Sequence, residues 1–401
     1  MAKTEYKYDV AIIGGLGHVG LPLGIVFASK GLSVVLCDID RKKAELVQKG
    51  IMPFIEYGAE KLLKDAIASK KLLVSLNDNQ IKKSKNIIIA IGTPVDEYLN
   101  PKTRDFLEFV ASIRQNLSTD QLIVVRSTVY PKTCEQMLNI LGKNKKWKIA
   151  YCPERIVQGY AIRELTQLPQ VVAGLSKEAV DEASALFKKI APEIIKTEMG
   201  EAELIKLFSN AWRYVQFAMA NQFYMIANNF NVDYENVRKT MRKGYERAAS
   251  LPGAGFAAGP CLLKDTMQLS AFSNNNFLLG HAAMMVNEGL PNFLIEKIMK
   301  RHNIAKKKVG ILGMAFKADI DDIRDSLSYK LGKILRFHGA TVLYSDEFVK
   351  DHTFVPKEQL IKDSDIVVIA VPHSAYKNLT IPKNKEVIDL WHIAKGGTQI
   401  A

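Results

Sequence analysis

The stretch Tyr8–Gly20 reads YDVAIIGGLGHVG and decides the fold. Its apolar, β-branched start predicts a buried strand, and this run stops abruptly at a pair of glycines. The apolar pattern that follows Gly20 has the spacing of a helix. A strand, a glycine-rich turn and a helix in this order predict the first unit of a parallel α/β sheet.

Short apolar runs separated by helical stretches continue to about Thr197, and we predict a doubly wound parallel sheet from them. The further predicted strands in this part are LSVVLCDID, NIIIAIGTP, QLIVVRSTV, WKIAYCPE and PQVVAGL.

The pattern changes near residue 199. Glu201–Phe230 contains no proline or glycine and predicts one long helix, and helical periodicity continues to about His302. Strands return after it in the segments KVGILGMAF, TVLYSD, SDIVVIAVP and EVIDL. We therefore predict an α/β protein in which two doubly wound domains, residues 1–198 and 303–401, flank a helical domain, residues 199–302.

Composition narrows the class of protein. The 401 residues are 48% hydrophobic and 24% charged, which is typical of a soluble protein of two or three domains. No apolar run reaches the roughly 18 residues that a membrane span needs, and no secretory signal precedes the first strand. We expect a cytoplasmic protein that binds no membrane.

The net charge of +13 comes from dispersed lysine clusters, and no nucleic-acid motif accompanies them. A basic surface of this kind favours an anionic small substrate over nucleic acid. The four cysteines, Cys37, Cys134, Cys152 and Cys261, have neither metal-ligand spacing nor a secreted context, so we predict no metal site and no disulfide.

The glycines after the first strand predict a dinucleotide site. Gly15, Gly17 and Gly20 fit G-x-G-x-x-G, in which the first glycine allows the tight turn and the second lets a pyrophosphate approach. The helix N-terminus that follows favours the phosphates. Asp38 ends the next strand, where a carboxylate accepts from a ribose hydroxyl and repels a 2′-phosphate, so NAD is predicted over NADP. The neighbouring Arg41 leaves NADP open.

Leu251–Asp265 reads LPGAGFAAGPCLLKD and has two interpretations. Cys261 is either an inert thiol in a loop or a nucleophile, with Lys264 favouring the thiolate and Asp265 acting on a proton or a water. Lys206 and Asn210 share one face of the predicted long helix and could stabilise developing negative charge, or be a solvent-reaching lysine and an exposed amide.

Taken together, these motifs resemble the nucleotide-sugar 6-dehydrogenases, the UDP-glucose/GDP-mannose dehydrogenase family. The resemblance covers nearly the whole chain. Beyond the glycine motif it includes Gly50–Gly58, Gly92-Thr93-Pro94, Ser127-Thr128-Val129, Cys152-Pro153-Glu154-Arg155, Glu203-x-x-Lys206-x-x-x-Asn210, Gly255–Asp265 and Gly313–Ser326.

The resemblance implies two Rossmann-like domains, a helical dimerisation region, an obligate homodimer and a small-molecule nucleotide-sugar substrate. It implies that the sugar C6 alcohol is oxidised to a carboxylate with two NAD. Cys261 then holds the aldehyde as a thiohemiacetal, which becomes a thioester that water hydrolyses.

The motifs and the resemblance give three groups of site residues. The predicted catalytic residues are Cys261, Lys206, Asn210, Asp265, Thr128 and Glu154. The predicted NAD contacts are Gly15, Gly17, His18, Val19, Gly20, Asp38, Thr93, Thr128, Lys264 and Arg324. The predicted substrate contacts are Glu154, Lys206, Asn210, Arg247, Gly255, Phe256, Phe316 and Lys317.

The chain also departs from the pattern of the family. Ala257-Ala258 stands where many members have a glycine pair, Lys132 replaces a usual glycine, Gln222 a glutamate and Leu327 a proline. Lys264-Asp265 resembles UDP-glucose enzymes, whereas Cys152–Arg155 followed by Gly159 resembles the N-acetylmannosamine and GDP-mannose branch. UDP-glucose is the first expected substrate, and a UDP-N-acetylhexosamine or another nucleotide sugar is the alternative.

Two more distant functions stay open. A two-electron β-hydroxyacid dehydrogenase would use a helix lysine but has no need of Cys261 or of residues 303–401. A non-catalytic nucleotide sensor would have no reason to keep Lys206, Asn210, Cys261 and Asp265 together.

Overall fold

The computed structural model describes residues 5–93, 95–96 and 102–400, so Pro94 of the Gly92-Thr93-Pro94 motif lies outside the described residues. The chain divides into two compact units, which meet in sequence at Phe208 and Ser209. Each unit contains one sheet.

The sheet of the first unit has eight strands in the order β3-β2-β1-β4-β5-β6-β7-β8. Its neighbours pair in parallel except β6 and β7, which are antiparallel. The strands are β1 Tyr8–Ile13, β2 Val34–Cys37, β3 Leu72–Ser75, β4 Ser84–Ile89, β5 Leu122–Val125, β6 Lys148–Tyr151, β7 Gln170–Gly174 and β8 Ile194–Lys196.

Both faces of this sheet are covered by apolar side chains. Val10 and Ile12 belong to one buried cluster, whereas Ala11 and Ile13 belong to a second one. Because alternate residues of a strand point to opposite faces, the clusters lie on the two sides of the sheet. Burial on both sides explains why the strands are continuous apolar runs rather than alternating ones.

The helices of the first unit connect these strands. Pro22 is tolerated in the first turn of α1, because the first N–H groups of a helix have no partner within the helix. The helices are α1 Gly20–Ser29, α2 Arg41–Gln48, α3 Ala59–Ala68, α4 Thr103–Ile113, α5 Thr133–Leu141, α6 Ala161–Gln167 and α7 Lys177–Phe187.

The predicted long helix is α8, Met199–Asn229, with 31 residues. It begins in the first unit and continues into the second. It ends where Asn231 adopts a left-handed φ of 55°, a conformation that stops helices and that asparagine tolerates better than most residues.

The second unit contains three more helices, a five-stranded sheet in the order β10-β9-β11-β12-β13, and two helices that pack with the sheet. The helices before the sheet are α9 Tyr234–Arg242, α10 Leu262–Phe272 and α11 Leu278–Met299. The remaining elements are β9 Lys308–Leu312, α12 Leu327–Phe337, β10 Thr341–Ser345, α13 Lys357–Asp363, β11 Ile366–Ile369, β12 Thr380–Asp389 and β13 Lys395–Gln399.

A buried carboxylate organises the end of β10. The side chain of Asp346 is fully buried and accepts from five N–H donors. His373 accepts the backbone N–H of Asp319 at Nδ1, 2.9 Å, so its Nε2 carries the proton that it donates to Asp346. The donors to Asp346 are the backbone N–H groups of Met314, Ala315, Phe348 and Val349, at 2.6 to 3.0 Å, and His373 Nε2 at 3.0 Å.

The fold class is confirmed: two sheets of parallel strands, with a helical region between them in sequence. The prediction was wrong in one detail, because β7 and β8 run against the other strands of the first sheet. The boundaries of the three predicted domains stay a prediction. In the part of the chain that the structure describes, no helix is both long enough and apolar enough to cross a membrane.

Replacing Asp346 with asparagine should destabilise the protein by about 3 kcal/mol, since an amide nitrogen would then face buried N–H donors. Burial disfavours the charged carboxyl, but the His373 hydrogen bond and the backbone donors outweigh it and lower the pKa of Asp346 to about 2. The folded pKa lies below the ordinary value, so the stabilisation is present above about pH 4 and is lost as the pH falls toward 2. Thermal unfolding followed by circular dichroism across this range measures the effect.

Asp351→Asn is the matched control, because Asp351 is exposed and its carboxylate accepts only from Thr353 among the side-chain hydrogen bonds that the structure gives. Its melting temperature should change far less. Equal melting temperatures of Asp346→Asn and the wild-type protein at pH 7 would show that the five-donor site does not stabilise the fold.

Candidate active site

The glycine-rich turn after β1 is shaped by close backbone approaches. The left-handed conformation falls on Gly14, with φ 73°, and not on Gly15, to which the sequence assigned the tight turn. A Cβ on Gly15 would lie 2.8 Å from the Cβ of Leu36, and a Cβ on Gly20 would overlap the carbonyl oxygen of Gly14. Gly17 differs, because its nearest neighbour would be 3.4 Å away, and it therefore leaves the open surface that a pyrophosphate needs.

Asp38 holds this turn before any ligand arrives. Its Oδ2 accepts the backbone N–H of Leu16 at 2.9 Å. Its Oδ1 accepts from Ile39 and Asp40, at 2.8 and 3.1 Å. The side chain is half-buried at the carboxyl end of β2, so the carboxylate is fixed in orientation and still reachable. This arrangement suits a ribose hydroxyl.

Two further segments of the first unit lie near carboxyl ends of strands. Thr93 Oγ1 donates to the carbonyl of Thr128 at 2.5 Å, which joins the segments that follow β4 and β5. The structure thus brings the predicted cofactor residue Thr93 to the predicted catalytic residue Thr128.

His18, another predicted NAD contact, packs on Phe54 with ring centroids 4.0 Å apart, and its Nε2 lies 3.5 Å from Gln158.

The turn before α5 is strained and capped by a buried carboxylate. Lys132, which stands where the family has glycine, adopts a left-handed φ of 70° that costs a non-glycine residue about 1–2 kcal/mol. Glu203 of α8 accepts its N–H at 2.7 Å and that of Cys134 at 3.4 Å. Burial raises the pKa of Glu203, and these N–H groups oppose that effect. Glu203 therefore fixes the loop that carries Thr128.

Glu154 is enclosed in a buried ion pair with Arg126, a residue that sequence analysis missed. Its Oε1 accepts the N–H groups of Arg155 and Ile156 at 2.7 and 2.8 Å, and its Oε2 contacts the Arg126 guanidinium. Arg126 is 2% exposed and also donates to the carbonyl of Cys152 at 3.2 Å. These contacts fix the orientation of both carboxyl oxygens of Glu154.

The signal for Arg126 was available in the sequence. It directly follows the apolar strand β5, and Glu154 follows the neighbouring strand β6. Parallel neighbours end at the same edge of a sheet, so a cation and an anion there are expected to pair.

In the second unit, Asp265 is the centre of a polar cluster. Asp265 is 1% exposed; its Oδ2 accepts from the amide of Asn210 and its Oδ1 from the ammonium of Lys264, each at 2.5 Å. Lys206 lies one turn before Asn210 on α8, and both are buried, which contradicts the alternative of a solvent-reaching lysine and an exposed amide. Lys264 pairs with Asp265, the residue next to it.

Cys261 is the exposed cysteine of the four and directly precedes α10. Burial raises the pKa of the thiols of Cys37 and Cys152 to about 12, and that of Cys134 well above its ordinary value. The chain therefore offers one accessible thiol, and it lies at a helix N-terminus, which favours a thiolate.

The loop before Cys261, residues 251–261, is here called the collar. Its middle is more buried than its small side chains suggest, with Phe256 in an apolar core cluster of the second unit. A Cβ on Gly255 would overlap the ring of Trp391, and a Cβ on Gly259 would lie 2.5 Å from the ring of Phe316. Aromatic side chains of the protein itself therefore approach both glycines closely.

The segment Phe316–Asp325 lies against the collar in the same unit. The N–H of Gly259 donates to the carbonyl of Asp325 at 3.3 Å. The ion pair with Asp322 raises the pKa of Arg324, and the negative form of Cys261 adds to this shift. Lys317 is half-buried and Arg247 is exposed. Among the described residues, no group of three or more His, Cys, Asp and Glu could hold a metal ion.

Comparison with known proteins gives matches along most of the chain. Three models of the UDP-glucose/GDP-mannose dehydrogenase family match: the NAD binding domain at residues 8–191, the central domain at 200–289 and the UDP binding domain at 310–396. The UDP-N-acetyl-D-mannosamine dehydrogenase of Methanococcus maripaludis is 29% identical over 385 residues, 93% of this chain and 88% of that protein.

Two further relatives carry different substrate names. The UDP-glucose 6-dehydrogenase of Rickettsia bellii is 26% identical over 411 residues, 95% of this chain and 94% of its own. The solved structure of a UDP-D-ManNAc dehydrogenase from Pyrococcus horikoshii superposes with a TM-score of 0.89, at 27% identity and 98% coverage of both chains.

Replacing Arg126 with methionine should destabilise the protein by about 3–5 kcal/mol, because Glu154 would keep a buried charge without its partner. The double variant Arg126→Met/Glu154→Gln should recover much of that loss. A double-mutant cycle by urea unfolding measures the coupling, which we expect to exceed about 1 kcal/mol.

The control is Lys196→Met, which breaks an ion pair with Asp181 in which both side chains are more than half exposed. It should hardly change the urea midpoint. Additive effects of the two substitutions at Arg126 and Glu154 would mean that the buried pair does not act as one unit.

Proposed function

The chain belongs to the UDP-glucose/GDP-mannose dehydrogenase family, as its motifs predicted, and from this premise we propose that it oxidises the C6 hydroxyl of a UDP-sugar to the carboxylate. It is an NAD-dependent oxidoreductase of nucleotide sugars. The observation that carries the four-electron reaction is the exposed Cys261 at the start of α10, one turn before the buried Asp265.

The first unit fits NAD. Gly17 leaves room for the pyrophosphate, α1 begins directly after this turn with the positive end of its dipole, and Asp38 presents an oriented carboxylate for the ribose. Thr93 and Thr128 would add contacts from the adjacent loops. When bound, NAD accepts a hydride, and the conversion of an alcohol to a carboxylate requires two such transfers.

Lys206 and Asn210 are proposed to stabilise the C6 oxygen as it loses its proton. Both are buried on one face of α8, where a cation and an amide act more strongly on a developing charge than in water. Asn210 is oriented by its hydrogen bond to Asp265, so its amide is pre-organised.

Cys261 is proposed to capture the aldehyde. Its sulfur bonds to C6 and the carbonyl oxygen takes a proton, which gives a thiohemiacetal at the oxidation level of an alcohol. Loss of a hydride from C6 and of the hydroxyl proton turns it into a thioester. Water then adds to the thioester carbonyl, the C–S bond breaks, and the thiol is released with the carboxylate.

Asp265 and Glu154 are proposed to bind the water that hydrolyses the thioester. Asp265 lies one helical turn after Cys261 and is a hydrogen-bond acceptor. Its contacts with Lys264 and Asn210 fix both of its carboxylate oxygens. Glu154 accepts hydrogen bonds and is held by Arg126. The substrate contacts Arg247, Gly255, Phe256, Phe316 and Lys317, and the NAD contacts His18, Val19, Lys264 and Arg324, stay predictions.

We propose UDP-N-acetyl-D-mannosamine as the first substrate to test, and UDP-glucose as the second. Relatives with each name match over more than nine-tenths of the chain. The collar supports a pocket different from that of a Gly-Gly member, because Ala257 is buried and its methyl group takes up space there.

A homodimer is the proposed assembly, and a cytoplasmic location stays a prediction. An apolar stripe runs along α8 and is exposed in the single chain, at the spacing of one helix face. Its members are Trp212, Met219, Phe223 and Ile226, and Phe230 directly follows the helix. A second copy of the chain, which carries the same stripe, would cover it.

A screen of UDP-ManNAc, UDP-GlcNAc, UDP-glucose, GDP-mannose and dTDP-glucose should give two NADH per sugar with one UDP-sugar. Absorbance at ~340 nm gives the stoichiometry, and product mass identifies the uronic acid. Cys261→Ala should lower turnover at least ~1,000-fold, because no thioester can form. Cys37→Ala is the control, since Cys37 is buried in the core.

One NADH per sugar with unchanged turnover in Cys261→Ala would contradict the proposed reaction and favour the two-electron dehydrogenase. Binding of NAD without turnover of any of these sugars would favour the sensor.

Trp212→Lys should shift the protein from dimer to monomer in light scattering after size exclusion, because a buried lysine charge would oppose the interface. Phe337→Lys is the control: Phe337 is 85% exposed, lies on α12 and is outside the stripe. An unchanged mass for Trp212→Lys would place the interface elsewhere.

A further inference from the structure

A network of buried amides joins two helices of the second unit to the collar. Asn221 of α8 and Asn287 of α11 are both 0% exposed. The side chain of Asn221 accepts the N–H of Gly255 at 2.8 Å and donates to its carbonyl at 3.0 Å. Both backbone polar groups of Gly255 are therefore satisfied by one side chain, in the way that a neighbouring strand would do it.

The other N–H of the Asn221 side-chain amide donates a hydrogen bond to Asn287. Asn221 Nδ2 donates to Asn287 Oδ1 at 2.9 Å, and Asn287 Nδ2 donates to the backbone carbonyl of Tyr214 at 3.1 Å. Asparagine offers two donors and one acceptor oxygen on adjacent atoms, and Asn221 uses all of them here. The chain of bonds fixes the orientation of each amide, since the N–H of Gly255 can only donate.

The collar is held at two points before it reaches the thiol. Gly255 is clamped by Asn221 on its polar groups and by the ring of Trp391 on its Cα. Gly259 is held by the carbonyl of Asp325 and by the ring of Phe316. Cys261 follows two residues after Gly259 and begins α10. The position of the thiol is thus set through the collar.

We propose that Asn221 is a positioning residue for the reaction: through Gly255 it fixes the collar in the shape that presents Cys261 and seats the sugar. This inference rests on the proposed function for the role of Cys261, while the clamp itself does not depend on any substrate. Neither the glycine motif nor the catalytic residues given above include Asn221.

Asn221→Asp tests the proposal with almost no change in shape. A carboxylate keeps the acceptor for the N–H of Gly255 but sets an oxygen against the Gly255 carbonyl and against Asn287 Oδ1. Asn229→Asp is the matched control on the same helix, since Asn229 is exposed and only accepts, from Lys297, in the contacts the structure gives for it.

The first readout uses no nucleotide sugar. The rate at which iodoacetamide alkylates Cys261, followed by peptide mass spectrometry at a temperature far below unfolding, should rise about threefold or more in Asn221→Asp and not in Asn229→Asp. With the sugar that the wild-type enzyme turns over, KM should rise roughly tenfold in Asn221→Asp, which separates a positioning role from a loss of folded enzyme.

Folded Asn221→Asp with an unchanged alkylation rate of Cys261 and an unchanged KM would overturn the proposal. If Asn221→Asp does not fold, hydrogen exchange of the wild-type protein decides: the Gly255 amide should be protected, and exchange as fast as that of an exposed loop would overturn the clamp. An altered alkylation rate in an enzyme without activity on any nucleotide sugar would keep the clamp and reject the proposed function.

Discussion

The pairing of β1 between β2 and β4 is the constraint on which the first unit depends. Its register sets Ile13 opposite both Cys37 and Ile89, so the three strands end together. Gly14 and Asp38 come immediately after the paired residues and therefore leave the sheet at the same edge. A slip of one residue would exchange the two faces of a strand, which would turn Asp38 away from the glycine turn. The N-terminus of α1, the fixed carboxylate and the loop of Thr93 all follow from this register.

The sheet of the second unit also has an aspartate directly after the strand beside its first strand. Asp346 follows β10 as Asp38 follows β2, and both accept backbone N–H groups from the turn after the first strand of their sheet. Asp38 is half-buried, whereas the side chain of Asp346 is fully buried and accepts a fifth hydrogen bond, from His373. One topological position thus holds a reachable carboxylate, proposed to bind the ribose, in one sheet and a buried carboxylate in the other. The two sites differ in their donors: Asp38 accepts from three backbone N–H groups, whereas Asp346 accepts from four and from His373.

Much of the fold could be predicted from the sequence, because a continuous apolar run indicates a buried strand without any knowledge of distant residues. The strands β3, β8 and β13 were missed, since LLVS and IIK are short and partly exposed, and KGGTQ has no apolar residue. The reversed direction of β7 leaves no trace in periodicity. In the site, Lys206 and Asn210 were predicted to share one helix face, and both are buried. Arg126 was missed although its position after β5 signals a pair with Glu154, whereas nothing local in the sequence links Asn221 to Gly255, 34 residues away.

The distribution of the cysteines has a consequence for oxidative stress. Three thiols are buried and held in their protonated form by desolvation, and one, Cys261, is exposed at a helix N-terminus. Cysteine oxidation proceeds through an accessible thiolate, so among the four thiols peroxide would attack Cys261 and leave the three buried ones intact. The protein would lose the covalent chemistry proposed for Cys261 while it stayed folded, and the first oxidation product, a sulfenic acid, could be reduced back by a thiol.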